Sequence, residues 1–316
     1  MTSLRDGRYE TGQRIYWGDY GKSRVVSSES SGISLLTHGT VCVHSGFDTV
    51  TNEQVAIKLN EDVDRAMREA DCYKHIQGLE GFPAWKSDWL YLQGKRYTHC
   101  GELAIELLGP SLTTLVKKAE GKKLSLKTTL QVADQIITRI EALHQTGLLH
   151  RDVRPENLCI GLQESGKEGT VYMIDFDKSK GYIDPDGTHA FNYGTSSGSS
   201  AWSSLNVFIG SSHSRRDDME SAGYVFVYCL TGGLPWLVPL YSDSDQCKHK
   251  ISLKDLCKGL PAEFKTYLSY CRSLEYADEP DYAYCRRLFR NVFVREGYEE
   301  DDVYDWMSGS PPSNRE

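Results

Sequence analysis

The chain contains no apolar run long enough to cross a bilayer, and its first residues, Met-Thr-Ser-Leu-Arg-Asp-Gly-Arg, hold no apolar h-region. Neither a membrane span nor a secretory leader is expected, and a membrane is not an expected partner. An excess of basic charge is also missing. The 36 Lys and Arg face 44 Asp and Glu, which leaves a net charge of −8. That balance argues against general nucleic-acid or anionic-lipid binding, while allowing a local basic patch. Among the nine cysteines no Cys-x-x-Cys pair occurs. An odd, scattered set is not a disulfide framework, so reduced thiols and a cytoplasmic or nuclear location are expected. The 316 residues, 39% of them hydrophobic, suffice for two lobes or two modest domains.

The densest chemistry runs from Leu148 to Lys178. His150-Arg151-Asp152 precedes Asn157 by a fixed interval, and Asp175-Phe176-Asp177 ends the apolar run Val171 to Ile174. The order matches the catalytic-loop signature of protein kinases. One carboxylate must accept a hydrogen bond from an attacking hydroxyl, and Asp152 is placed for that. An amide five residues on and a carboxylate at a strand end, Asn157 and Asp175, can hold a divalent metal. The competing reading is a loop of solvated charges between two strands. It does not account for the ordered set.

Upstream, Gly18 and Gly21 frame Tyr20 in a Gly-x-x-Gly spacing that would let backbone N–H groups approach phosphates. A glycine turn in a plain hairpin explains them equally, and Gly39 competes as the last loop glycine because it lies nearer Lys58. Residues 27–39 begin with a serine-rich run and read as an inserted loop. Thr40 to Val43 and Gln54 to Leu59 read as strands around a turn at Thr49 to Glu53, and the second strand carries Lys58. Such a lysine is either a solvated edge residue or a phosphate ligand. Glu61 to Ile76 has helical spacing and carries Glu69, an exposed acid or the partner of Lys58. Trp85 to Tyr97 reads as two strands about Gln93 to Lys95. Leu103 to Leu112 reads as a strand broken by Gly109-Pro110, a natural hinge. Helices follow at Ser125 to Thr146 and from Arg215 to Leu230, ended by Gly232-Gly233, and the chain to Val294 is mostly helical. Residues 308–316 are expected to be a disordered tail.

Longer motifs give these pieces a family. Glu106-Leu-Leu-Gly-Pro-Ser-Leu112, Ser204-Leu-Asn206, Ser214-Arg-Arg-Asp-Asp-Met-Glu-Ser-Ala-Gly223, Leu234-Pro-Trp236, Asp281-Tyr282 and Leu288-Phe-Arg-Asn291 occur in one order. With them the chain resembles a casein kinase 1 family Ser/Thr protein kinase, the group that includes tau-tubulin and vaccinia-related kinases, from Tyr9 to Trp306. The resemblance implies an α+β bilobal kinase fold: residues 1–108 an N-lobe antiparallel β-sheet plus one helix, residues 109–307 a mainly helical C-lobe. It implies ATP and Mg2+ as cofactors, a protein substrate and a monomer. Lys58, Glu69, Asp152 and Arg154 would be the catalytic set. Gly18, Gly21, Ala56, Lys58, Glu106, Leu108 and Asn157 would bind the nucleotide, with Ile105 as gatekeeper, and Asn157 and Asp175 would hold the metal. Asp218 would anchor the catalytic loop from below.

Four departures accompany the resemblance. Tyr16 stands in place of a loop glycine, with about twenty residues inserted before Lys58. Arg154 replaces the usual lysine near the γ-phosphate, keeping charge but changing geometry. Asp177 replaces the glycine of the metal motif. The segment Thr195 to Ser203 lacks the family's basic and aromatic residues. Two functions follow: an active Ser/Thr kinase, and a pseudokinase that keeps the fold as a binding or scaffold module.

Overall fold

The structure, a computed structural model, describes residues 3–4, 8–17, 41–93, 98–184, 187–189, 201–237, 248 and 250–307. Gly18, Gly21, Gly39, the inserted loop 27–39 and the tail 308–316 lie outside the described residues. The chain divides into two compact units, one of Met1–Gly78 with Pro83–Leu108, the other of Leu79–Phe82 with Gly109–Glu316.

The first unit is an antiparallel sheet of β1 (Ser3–Leu4), β2 (Tyr9–Trp17), β3 (Val41–Asp48), β4 (Gln54–Asn60), β5 (Trp85–Gln93) and β6 (Thr98–Glu106), in the order β1-β2-β3-β4-β6-β5. Helix α1 (Val63–His75) packs on β4, β5 and β6. Asp62 caps it, its carboxylate accepting from the Arg65 amide at 3.0 Å. Its inner face is Ala66, Glu69, Ala70 and Tyr73. Gly101 on β6 permits the close approach, because a Cβ there would lie 2.3 Å from the Ala66 Cβ. Tyr9, Val55, Ile57 and Ala104 form the sheet's core, with Trp89 stacked on Tyr9 at 5.1 Å. The two-strand reading of 85–97 needs correction. Residues 85–93 form one strand, and its partner is 98–106, registered from Trp85 opposite Ile105 to Gln93 opposite Thr98. The apolar segment ending at Glu106 is that second strand, and each side chain it offers the core is matched across the ladder.

The second unit is built on buried helices. α2 (Leu112–Lys118) is short. α3 (Leu126–Gln145) packs against α5 (Arg215–Thr231), while α4 (Leu205–Phe208) and α6 (Leu253–Leu256) are single turns. α7 (Ala262–Ser273) packs on α5, and α8 (Tyr282–Arg295) on α3 and α7. From Asp217 to Cys229 every residue of α5 is buried. The helix starts with a capping box between Ser214 and Asp217 and stops at Gly232, whose φ of 75° few other residues adopt. Four short strands, β7 (Leu148–Leu149), β8 (Leu158–Ile160), β9 (Val171–Met173) and β10 (Lys180–Gly181), pair as β7 with β10 and β8 with β9. Between β7 and β8, and just beyond β9, lie the loops with the signature residues. No helix among the described residues is long and apolar enough to cross a membrane.

Candidate active site

In the first unit, β4 and α1 bring Lys58 and Glu69 together. Lys58 Nζ lies 2.9 Å from Glu69 Oε1 and 2.8 Å from Oε2, and the Glu69 side chain is 2% exposed. A carboxylate buried that deeply is held charged by a partner, so the exposed-acid reading of Glu69 is excluded by its position. Ala56 pairs with Ile105 across the ladder, two residues from Lys58. Glu106 turns its Oε2 to the Ala84 amide at 3.2 Å. Leu108 ends the unit, half-buried.

In the second unit, a buried carboxylate on α5 organises the loop. Asp218 accepts from the amides of His150 and Arg151, both at 2.8 Å, and from His144 Nε2 at 3.0 Å. Burial opposes its ionisation, but the hydrogen bonds from His144 and the Arg151 amide win and hold its carboxyl below the usual range. His144 is itself fixed, with Nδ1 2.7 Å from the Tyr282 hydroxyl. His150 is fully buried. It accepts from the Asp152 amide at Nδ1 (3.2 Å) and donates from Nε2 to the Ile174 carbonyl (3.0 Å). One imidazole thus ties the turn before Asp152 to the strand end before Asp175. Phe176 closes the same space, packed on His150 and Phe82.

Asp152 is the focus of this half. Lys178 Nζ donates to its Oδ2 at 2.8 Å, and Arg154 Nε lies 3.5 Å from the same oxygen. Asn157 Nδ2 donates to its backbone carbonyl at 3.0 Å and to Oδ2 at 3.4 Å. With its nitrogen committed to Asp152, Asn157 offers its amide oxygen to a cation. Asp175 and Asp177 each offer a carboxylate oxygen within 4.8 Å of the other. An all-oxygen donor set of amide and carboxylate suits Mg2+ and fits the metal that the sequence implies. Two backbone positions are strained: Arg151 with φ 68° and Asp175 with φ 70°. Non-glycine residues held there cost on the order of 1–3 kcal/mol each and cluster at working sites.

The structure brings Lys58 to Glu69, the pair the sequence suggests, and brings Asp152 to Asn157 and Arg154. Gly18 and Gly21 lie outside the described residues. Sequence reasoning missed Lys178, which makes the shortest contact to Asp152. Its only signal is a position three residues past Asp175. It also missed His144 and the bond His144 makes to Tyr282, which is distant in sequence and legible only once α3, α5 and α8 pack. His213 escaped notice too. Burial, and then Arg151, push its imidazole down to about 4, so it is neutral at physiological pH.

An antiparallel sheet with a buried lysine–carboxylate pair, and a helical unit presenting a buried Asp-Asn loop beside a metal-competent aspartate, define a phosphotransferase architecture. The protein kinase domain model matches residues 38–273, most of the chain. The chain belongs to the protein kinase family. ATP and a divalent metal are that family's general requirements, and proteins its substrates.

Proposed function

We propose that this chain is an ATP-dependent Ser/Thr protein kinase of the casein kinase 1 type, transferring the γ-phosphate to hydroxyls of a protein substrate. The observation that carries the reading is the state of Asp152. It is nearly fully buried, yet bonded to a lysine and an amide on a loop clamped by Asp218. A carboxylate buried to that degree, and fixed by that many partners, suits a residue that must orient a nucleophile.

In this reading Asp152 accepts the acceptor hydroxyl's proton. Lys58, held by Glu69, grips the α- and β-phosphates. Ala56, Glu106 and Leu108 receive the adenine, and Gly18 and Gly21 cover the phosphates. Asn157 and Asp175 hold Mg2+, which when bound neutralises charge on the transferring phosphates. Arg154 adds positive charge beside Asp152. Catalysis is then positioning plus charge neutralisation. The chain acts as a monomer in the cytoplasm, the nucleus or both. The pseudokinase alternative rests on one observation, the second carboxylate of Asp177 beside Asp175.

The test is transfer of labelled phosphate from ATP to casein and to a peptide library, with and without Mg2+. Asp152→Asn should lower the rate by about 10²- to 10⁴-fold, the usual contribution of a positioned acid–base group, with ATP affinity nearly intact. Turnover near wild type in that variant removes Asp152 from its role.

A further inference from the structure

We propose that Lys178 contacts the transferring phosphoryl group while it holds Asp152, an inference that rests on the kinase reading above. Lys178 Nζ makes the closest ionic contact to Asp152, at 2.8 Å, with the two side chains 12% and 1% exposed. Arg154, the sequence candidate for this charge, stands at 3.5 Å. The backbone of Lys178 is pinned on both sides. Arg151 Nη1 donates to its carbonyl at 3.2 Å, and the turn Phe176–Lys178 closes through the Ser179 amide on the Phe176 carbonyl at 3.0 Å. Lys180 then pairs with Leu149. The ammonium is therefore placed by the fold, not by a free surface stem.

Chemistry says what lies next to it. The acceptor oxygen forms a bond to the γ-phosphorus while the bond from that phosphorus to the β,γ-bridging oxygen breaks. The electron pair of that bond leaves with ADP, and the hydroxyl proton passes to Asp152. A hydroxyl bonded to Asp152 sits about 2.7 Å from it, and a near-attack phosphorus sits about 3–3.5 Å further on. A cation 2.8 Å from an oxygen of that carboxylate can come within hydrogen-bond reach of the equatorial phosphoryl oxygens. An ammonium has three donors, so it can keep Asp152 and take a phosphoryl oxygen together.

The test uses the full chain as wild type, Lys178→Met and Lys178→Arg. Calorimetry compares Mg·AMP-PNP with Mg·ADP, and transfer to dephosphorylated casein is measured alongside. Lys178→Met should narrow the preference for AMP-PNP over ADP by about tenfold, the worth of one charged hydrogen bond, with ADP affinity unchanged. Its kcat should fall about 10²-fold or more, and the KM for ATP should rise with the lost triphosphate affinity, by up to about tenfold. Lys178→Arg should recover most of both. An unchanged nucleotide preference in Lys178→Met overturns the proposal whatever kcat does. A rise in activity overturns it too, because Lys178 would then be a brake on Asp152. A silent wild type whose preference still depends on Lys178 supports the contact and sinks only the enzyme reading.

Discussion

Two lysines in this chain each bind a buried carboxylate, and they are held there by different means. Lys58 meets Glu69 with both oxygens, across from a strand to a helix. Its position follows from a seven-residue strand in register with β3 and β6 and from a capped helix seated on Gly101. Lys178 meets Asp152 with one oxygen, between two irregular segments. Its position follows from hydrogen bonds to Asp218, His150 and Arg151, and two residues of the arrangement have positive φ. Periodic structure secures the first pair, and a network of side-chain and backbone hydrogen bonds secures the second. Damage to one should therefore be local, and damage to the other should spread to the whole loop.

The largest expected effect sharpens that contrast. Asp218→Ala leaves two amides and His144 without their acceptor in a buried site. Removing one partner of such a network costs about 3–5 kcal/mol. Thermal or denaturant unfolding should show that loss, with transfer activity falling by more than stability alone explains. An unfolding free energy within about 1 kcal/mol of wild type would break the claim that Asp218 organises the loop.

A smaller and different effect is expected from Glu69→Gln. The helix and its packing persist, but the charged partner of Lys58 is gone. A charge-assisted hydrogen bond of about 1.5–3 kcal/mol corresponds to a drop in kcat/KM of about 10- to 100-fold. The melting temperature should change far less than in Asp218→Ala. If the two variants melt alike, the contrast between the pairs is lost.

The smallest effect concerns the sheet alone. Glu102, buried on β6, has its carboxyl pushed from the ordinary 4.5 up to about 7 by burial, with the nearby Trp89 side chain opposing. The folded state keeps this proton to higher pH than the unfolded chain does. Its stability is therefore undiminished below about pH 4.5 and falls as pH rises towards 7. Glu102→Gln should flatten that slope and raise stability at pH 8 by about 1–3 kcal/mol. A pH–stability curve parallel to wild type would show that Glu102 titrates normally.

The same contrast explains what could be read from the sequence. Lys58 and Glu69 sit on elements with clear periodicity, so strand and helix, and then the pair, were legible. The His150–Asn157 order was legible because its spacing is a known signature. Lys178 was not, since no periodicity runs through Phe176 to Ser179 and only the folded turn aims its stem. The turn after β5 was legible from Gln93 to Lys95, but the returning strand was read only to Tyr97, and the rest of β6 lay in the segment from Leu103 that was read as a separate strand leading to the hinge. His144 and Tyr282 needed a three-helix contact that local pattern does not carry.

The central claim is that Asp177 belongs to a working site instead of marking a lost one. It is tested by measuring Mg2+-dependent ATP affinity and phosphate transfer for wild type and Asp177→Gly side by side. Glycine frees the backbone after Phe176 and removes a charge beside Asp175. At an effective dielectric near 20, a charge about 4 Å away is worth roughly 4 kcal/mol before hydration, so an effect should be visible. The account predicts an active wild type, with the glycine variant equal or weaker in both readouts. A silent wild type and a glycine variant that gains ATP affinity or transfer would contradict it.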